Sequence, residues 1–299
     1  MLFPVSGVEV NPLIPFVVAF LVSFCTSMGG VSGAFLLLPF QVSFLSYTAP
    51  SVSATNQVFN VIAIPSGVYR YIKEGRMLWP LTWAVIIGTL PGVFIGAWIR
   101  IAYLPDTKNF KLFVGCVLLY IGWRLVLDVV KAQNKAKSKI NTEKSDVPSS
   151  VYVSEASIRK VVFEYDNKTF QFSPSVVYGI CFLVGIAGGI YGIGGGSIVA
   201  PFFVTIVGLP VYTVAGAALM GTFITSVAGV IIYHFLAQFY IDISVSPDWL
   251  LGVLFGSGGI FGMYLGARTQ KFVPARIIKS ILCICVLFVA GKYILGFFV

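Results

Sequence analysis

The stretch that decides the fold is Gly192-Ile193-Gly194-Gly195-Gly196-Ser197, which interrupts a long apolar run. A degraded copy, Gly30-Val31-Ser32-Gly33-Ala34-Phe35, lies 162 positions earlier, and a Pro-Phe pair follows each copy at the same distance. Each glycine inside a helix costs about 1 kcal/mol relative to alanine, so helix propensity does not explain these residues. In lipid, an opened backbone is tolerated only where it is buried in protein or lines a cavity. We therefore predict that the two stretches break helices, face each other and form a binding site.

The composition places the chain in a membrane. Of its 299 residues, 58% are hydrophobic and only 10% are charged, whereas about one quarter of the residues in soluble domains are charged. The formal net charge is +9, but the basic residues gather in loops between apolar runs. That distribution is typical of topology signals and of contact with anionic lipid headgroups. We therefore expect a multi-pass protein of the cytoplasmic (inner) membrane, with membrane lipid and not nucleic acid as its large partner.

Eight apolar runs divide the sequence: 13–47, 51–70, 79–101, 108–130, 174–208, 211–238, 248–270 and 274–298. Six of them have the length of one membrane span. The two runs that carry the glycine stretches would each be about 52 Å long as continuous helices, against about 30 Å of hydrocarbon. We predict that each is broken near its middle into halves too short to span. This favours a re-entrant helical hairpin over a long, tilted, broken helix.

A second motif also occurs twice. Gly88-x-x-x-Gly92-x-x-x-Gly96-Ala97 recurs as Gly258-x-x-x-Gly262-x-x-x-Gly266-Ala267. Small residues at every fourth position form a smooth stripe on which another helix packs closely, so helix packing is favoured over substrate contact. The duplicated motifs predict an internal repeat, with residues 1–131 and 174–299 as the copies and residues 132–173 as a polar linker.

Loop charges predict how the repeats sit in the membrane. With re-entrant broken segments and three spans in each repeat, the lysine-rich linker and two further basic loops fall on one side, which the positive-inside rule places in the cytoplasm. If all eight runs span, this bias weakens. The predicted fold class is an all-α polytopic membrane protein of two inverted repeats, each with a glycine-broken, re-entrant segment plus three transmembrane helices. Within the linker, the alternating segments Val161–Tyr165 and Thr169–Phe172 predict a small β-hairpin.

Catalytic and cofactor chemistry finds little support in the sequence. The single histidine, His234, lies near the end of its apolar run, and no acidic pair lies within the membrane segments. No cysteine and histidine cluster has zinc spacing. The glycine stretch is not a phosphate loop, because Gly196 is followed by Ser-Ile and not by the Lys-Ser/Thr that a Walker motif needs. We therefore expect no enzyme activity, no cofactor and no metal.

Anion binding is better supported. A helix break places the N-terminus of a half-helix inside the protein, with unpaired N–H groups and a partial positive charge. Glycine lets a small oxyanion approach the main chain, and neighbouring hydroxyl and amide side chains add donors. The candidate substrate-binding residues are Gly30, Ser32, Gly33, Ala34, Asn56, Gln57, Asn60, Gly192, Gly194, Gly195, Gly196, Ser197 and Thr222.

Structural alternatives stand beside this site. The glycines could serve only tight packing, and the three amides in the segment 56–60 could hydrogen-bond from helix to helix instead of to a substrate. Three arginines, Arg70, Arg100 and Arg124, lie near the ends of apolar runs. Snorkelling to the interface is expected of them, and an anion-attracting or gating role is the alternative.

The glycine stretches and the prolines that follow them resemble the sulfite exporter TauE/SafE family of membrane permeases. The stretch 192–197 with Pro201 is similar to the glycine-rich motif of that family. The stretch 30–34 with Pro39 matches it loosely, since Ser32 and Ala34 replace glycines. The resemblance covers nearly the whole chain apart from the linker. It implies export or import of sulfite or of organosulfur compounds such as sulfoacetate.

These observations lead to three hypotheses for the function. The first is a secondary transporter of a small sulfur oxyanion, sulfite or an organosulfonate, that works across the cytoplasmic membrane by alternating access. An anion channel is the nearest alternative. A membrane-embedded sulfur-handling enzyme or assembly factor, acting through Cys25 or Cys181, is the other. The sequence leaves open whether the protein is a homodimer, the direction of transport and coupling to protons.

Overall fold

The computed structural model describes residues 1–28, 32–73, 75, 77–138, 152–157, 160–165, 168–205, 207–209, 211–269 and 275–298. In this part of the chain the helices are α1 Leu13–Met28, α2 Ala34–Ser43, α3 Ser51–Ala63, α4 Pro65–Lys73, α5 Trp79–Ala102, α6 Thr107–Ser138, α7 Pro174–Tyr191, α8 Gly196–Thr205, α9 Val211–Leu236, α10 Trp249–Thr269 and α11 Ala275–Phe298. The strands are β1 Tyr152–Ala156, β2 Val161–Tyr165 and β3 Lys168–Phe172. The membrane part is therefore helical, as predicted.

Both glycine stretches interrupt helices where the sequence predicts. The first separates α1 from α2, and the second separates α7 from α8. In each case the chain then turns back along the helix that it has just left. A Cβ atom added to Gly33 would lie 3.2 Å from the Ser23 hydroxyl, and one added to Gly195 would lie 3.3 Å from the Cα of Gly185. Each broken run therefore forms a helical hairpin.

The position of the breaks differs from the prediction. Neither break lies at the middle of its run, because α1 has 16 residues and α7 has 18, whereas α2 and α8 have 10 each. The helix α7 is long and apolar enough to cross a membrane. The expectation of two short halves is therefore wrong for α7. Each run is a long helix followed by a short half-helix.

Five of the described helices could cross a membrane by length and composition: α5, the first 21 residues of α6, α7, most of α9 and most of α10. The run 51–70 also differs from a single span, because it is divided at Pro65 into α3 and α4. Proline has no N–H to continue the helical ladder, so the segment is interrupted there. The outer surface carries large apolar side chains such as Trp83, Trp123 and Phe288, which are 56%, 60% and 72% exposed. An apolar exterior of this kind suits a lipid environment.

Each of the two glycine stripes packs against the long helix of one of the broken runs. The stripe on α5 lies along α7, and the stripe on α10 lies along α1. A Cβ atom added to Gly92 would lie 2.3 Å from the carbonyl oxygen of Phe182, and one added to Gly262 would lie 2.3 Å from that of Phe20. The prediction that these glycines serve helix packing is confirmed. The partners Phe20 and Phe182 are 162 positions apart, like the two breaks, which supports the predicted pair of repeats.

The linker contains more structure than predicted. The strands β2 and β3 are antiparallel, in the register Phe163↔Phe170, so the predicted hairpin is confirmed. A third strand, β1, pairs antiparallel with β2. The helix α6 runs on to Ser138, past the expected boundary at residue 131. Phe163 is fully buried and stacks on Phe170 with ring centroids 5.6 Å apart. The linker thus includes a small sheet with its own aromatic contacts.

Candidate functional site at the two helix breaks

The helix α3 carries most of the polar side chains near the breaks. Its residues Ser53, Thr55, Asn56, Gln57 and Asn60 are all fully buried. A buried polar group costs on the order of 1–3 kcal/mol unless it finds a partner. Their hydrogen bonds therefore show which of them hold the fold together and which remain available for a substrate.

Asn56 connects the two breaks. Its Nδ2 atom donates to the carbonyl oxygen of Ala34, at the start of α2, at 3.0 Å, and to that of Gly192 at 3.1 Å. Its Oδ1 atom accepts from Gln41 Nε2 at 3.3 Å. The Tyr191 hydroxyl, at the end of α7, donates to the carbonyl oxygen of Phe35 at 2.8 Å. The prediction that the two breaks face each other is confirmed by these contacts.

Asn60, one turn further along α3, makes a second connection. Its Nδ2 atom donates to the carbonyl oxygen of Ile193 at 3.1 Å and to Ser226 Oγ at 3.3 Å. Its Oδ1 atom accepts from Ser32 Oγ at 3.0 Å. The Ser32 hydroxyl in turn accepts from the N–H of Ala34, the first residue of α2, at 3.4 Å. In this conformation the amides of Asn56 and Asn60 hydrogen-bond within the protein, as the helix-to-helix alternative proposes.

Gln57 differs from both asparagines. It is fully buried, and neither Nε2 nor Oε1 has a hydrogen-bond partner among the described residues. The amide lies against α9 where Gly229 leaves room, since a Cβ atom there would come within 1.9 Å of Gln57 Oε1. An unpaired amide in the interior is costly, and such groups call for an explanation such as a ligand or a water molecule. Gln57 therefore has donor and acceptor capacity that the protein itself does not use.

The second break depends on two glycines with left-handed backbone. Gly192 has φ +78° and Gly194 has φ +72°, a backbone conformation that residues with a side chain rarely adopt. Gly192 ends α7 and its N–H donates to the carbonyl oxygen of Gly188 at 2.9 Å. At the next step Gly195 donates its N–H to Thr225 Oγ1 at 3.3 Å. The chain is thereby held against α9 before α8 begins.

The half-helices begin inside the protein. The first N–H groups of α2 and α8 have no intrahelical partner, and each helix presents the positive end of its dipole there. Gly196 opens α8 so close to α9 that a Cβ atom would lie 2.0 Å from the carbonyl oxygen of Ala218. Among the described residues, the polar side chains that hydrogen-bond at the breaks are amides and hydroxyls. Any affinity for anions here comes from N–H groups, hydroxyls and dipoles and not from ionised side chains.

The structure brings most of the predicted residues together. Ser32, Ala34, Asn56, Asn60 and Gly192 form one connected hydrogen-bond network. Gly194 and Gly196 lie against α9 next to Thr222, which hydrogen-bonds to its own helix at the carbonyl oxygen of Ala218. Gly195 lies against Thr89 of α5 and reaches α9 through its bond to Thr225. Gly33 packs against α1 and not toward the second break. Gly30 and the side chain of Ser197 lie outside the described residues.

Sequence reasoning missed two members of this network. Gln41 was not distinguished from the apolar residues of α2, although it is the one amide in that helix. Tyr191 directly precedes Gly192, and tyrosines at helix ends are too common for this position to be informative. Of the described residues, no three of the types His, Cys, Asp and Glu lie together as metal ligands would.

These features define a class of protein: a polytopic helical membrane transporter in which two broken segments meet inside the bundle. The chain belongs to the family described as sulfite exporter TauE/SafE, which matches residues 15–293. It is 24% identical over 277 residues to the "Probable membrane transporter protein YunE" of Bacillus subtilis (strain 168), which covers 90% of this chain and 92% of that protein. No solved structure gives a significant match. The chain is thus a multi-pass transporter of the cytoplasmic membrane and not an enzyme.

Proposed function

We propose that this transporter moves a small sulfur oxyanion, sulfite or an organosulfonate, and that the anion binds between the two helix breaks. The family is described as sulfite exporters, which favours this chemical class. Sulfite and sulfonates carry three oxygens on sulfur and a negative charge. Main-chain N–H groups at the start of a helix suit such a group, because they provide several donors that converge without a counter-charge.

The single observation that carries this proposal is the unpaired amide of Gln57 beside the network that joins the breaks. Asn56 and Asn60 each hydrogen-bond to both breaks and so hold them in position. Gln57, on the same helix, is fully buried and has no partner of its own among the described residues. A substrate oxygen that accepts from Gln57 Nε2 would satisfy the donor. The site is then asymmetric, since α3 of the first repeat supplies the amides.

The reciprocal packing of the glycine stripes supports alternating access. One unit of parallel helices contains α5 and α7, and the other contains α10 and α1. The breaks lie where these units meet, so a rocking motion of one unit against the other would open the site first to one side and then to the other. We propose that the chain consists of two inverted repeats with the linker in the cytoplasm. Each of the two units then combines one helix from each repeat.

Proton coupling need not involve the protein in this proposal. The histidine at the end of α9, His234, pairs with Ser246 Oγ at 3.3 Å in an exposed position and not at the breaks. Sulfite and bisulfite interconvert near neutral pH, so the substrate can carry its own proton.

The test is uptake of radiolabelled sulfite into proteoliposomes, with sulfoacetate and sulfate as competitors. A carrier gives saturable uptake and counterflow, in which unlabelled sulfite inside accelerates entry of labelled sulfite. Competition by sulfoacetate would extend the class to sulfonates. Ohmic current without saturation or counterflow would replace the carrier by a channel. If the purified protein moves neither sulfite nor a competing sulfonate, the substrate assignment is wrong.

A further inference from the structure

Arg100, near the end of α5, does not snorkel to the interface as the sequence suggests. Its side chain is fully buried, and it is the largest of the fully buried side chains described. The guanidinium donates through Nη2 to the carbonyl oxygen of Thr48 at 2.7 Å and through Nη1 to that of Leu104. Its carbon atom lies 3.7 Å from the centre of the Phe110 ring. The expected position at the surface is therefore wrong for this arginine.

This buried cation has no anionic partner among the described residues. Its hydrogen-bond acceptors are two neutral carbonyl groups, and Nε has none. Burying a charge without a counter-charge costs several kcal/mol, which two carbonyl groups and one aromatic face offset only in part. A position of this kind is favourable when an anion visits it. A guanidinium also matches an oxyanion well, because its N–H groups form a planar fork.

The place of Arg100 in the fold connects it with the helix breaks. The guanidinium interacts electrostatically with the side chains of Tyr233 and Tyr47. The Tyr233 hydroxyl donates to the carbonyl oxygen of Gly189, three residues before the second break, at 3.0 Å. The α2–α3 loop, which contains Thr48, leads directly into the helix that carries the amides of the site. The guanidinium thus lies between the end of the bundle and the candidate site.

The two carbonyl partners of Arg100 belong to separate loops. Thr48 lies between α2 and α3, and Leu104 lies between α5 and α6. The first residue of α6, Thr107, also contacts the α2–α3 loop, because its Oγ1 donates to Thr48 Oγ1 at 3.0 Å. This end of the bundle is opposite the linker, because α5 and α7 run in parallel and α7 starts from the linker. Arg100 therefore ties together the loops that close the end away from the linker.

We propose that Arg100 is the first protein group that the anion meets from that end, and that the arriving anion replaces the carbonyl groups of Thr48 and Leu104 on the guanidinium. The exchange gives the cation a charged partner and releases the two loops, so anion binding and opening of this end are the same event. Selection for anions follows, since the guanidinium repels a cation and a neutral solute brings no counter-charge to the buried cation. The inference rests on the proposed function in assuming that the transported substrate is an oxyanion.

The first experiment uses the unmodified protein. Phenylglyoxal reacts with accessible arginine side chains, and mass spectrometry of the digested protein reports the extent of reaction at each arginine. We expect Arg100 to react slowly, as the closed end opens, and at least fivefold more slowly with saturating sulfite. Arg124 serves as the internal control and should react at the same rate with and without sulfite. The proposal would be overturned if none of the anions tested changed the rate of modification of Arg100, or if Arg100 did not react at all.

The second experiment separates binding from a structural role. Arg100→Gln, Arg100→Lys and the control Arg124→Gln are compared for sulfite uptake in proteoliposomes. We expect Arg100→Gln to raise the KM at least tenfold, Arg100→Lys to raise it about threefold because the charge is kept, and Arg124→Gln to leave it unchanged. A lower maximal rate with an unchanged KM in both Arg100 variants would make the residue merely structural and sink the inference.

The outcomes distinguish this inference from the proposed function. If the wild-type protein takes up sulfite and Arg100 is not protected, only the role of Arg100 is wrong. If the wild-type protein takes up no sulfite but sulfate or sulfoacetate protects Arg100, the anion contact stands and the assignment of sulfite fails.

Discussion

The substitution Gly192→Ala places an extra atom directly in the contact between the second break and α3. Gly192 has φ +78°, and a Cβ atom there would lie 2.3 Å from the carbonyl oxygen and 2.6 Å from the Cα of Ser53. Both atoms belong to the backbone of a buried helix and cannot rotate away. Ordinary contact begins at 3.4 Å, so α3 would have to move by about 1 Å. That movement would strain the hydrogen bond from Asn56 to the Gly192 carbonyl oxygen.

The expected cost has two parts. A left-handed alanine costs about 1–2 kcal/mol, and overpacking against backbone atoms costs about 1–3 kcal/mol. Together they amount to about 2–5 kcal/mol, which at about 2–4 °C per kcal/mol corresponds to a fall of about 4–20 °C in the Tm.

The assay is thermal unfolding of the purified protein in detergent, followed by uptake in proteoliposomes. Gly179→Ala is the matched control, because Gly179 lies in the same helix, α7, and has nothing within 4 Å of an added Cβ atom. We expect the control to keep or raise the Tm, since alanine favours helix by up to about 1 kcal/mol. The reasoning would be refuted if Gly192→Ala melted at or above the wild-type temperature, or if both variants shifted alike.

Three further predictions concern other parts of the molecule. Gly92→Ala should destabilise the protein by about 1–3 kcal/mol, because the added atom meets the backbone of α7. Gly291→Ala meets nothing within 4 Å and should keep or raise the Tm. Equal melting temperatures of the two variants would contradict this. Asp248→Ala should cost about 1–3 kcal/mol, since the carboxylate accepts from Ser6 N and Oγ and caps α10. It should also speed hydrogen exchange in the segment 2–9, which closes on itself through a bridge between Leu2 and Glu9. Unchanged exchange would argue against this anchor. Phe163→Ala removes the buried aromatic side chain at the centre of the linker sheet, which should destabilise the sheet by about 3–5 kcal/mol. The linker should then become sensitive to trypsin. An unchanged digestion pattern would show that the sheet is held in another way.

The sequence predicts those features that depend on a few adjacent residues. Glycine clusters within an apolar run cannot continue a helix at low cost, so the two breaks could be placed to within a few residues. Glycines spaced every fourth residue lie on one face of a helix, so their packing role was also accessible. The β2–β3 hairpin follows from alternation around a turn. In each case a local pattern has one favourable structure.

Features that depend on distant partners were not accessible in this way. Nothing in the segment 174–191 alone shows that it stays helical for 18 residues before the break, and its close packing along α5 supports that length. The sequence leaves the amides of Asn56 and Asn60 open to a substrate or to helix-to-helix hydrogen bonds. Only the structure shows that they hydrogen-bond to carbonyl groups on segments more than 130 positions away. Position near the end of an apolar run predicts snorkelling for Arg100, because its burial depends in part on the α2–α3 loop, which lies about 50 positions earlier in the chain.

Gln57→Leu tests the central claim most directly, because leucine has a similar size and lacks only the amide. Removal of a buried, unpaired amide should leave the variant as stable as the wild type or more stable, by up to about 1–3 kcal/mol. The measurement is initial sulfite uptake into proteoliposomes, with the Tm of both proteins recorded with and without sulfite. At one hundred times its Kd, sulfite should stabilise the wild type by about 2.7 kcal/mol. The account predicts that Gln57→Leu folds, loses this stabilisation and takes up sulfite at least tenfold more slowly at subsaturating concentration. If Gln57→Leu takes up sulfite as fast as the wild type and is stabilised by it to the same extent, the result would contradict a substrate site between the breaks.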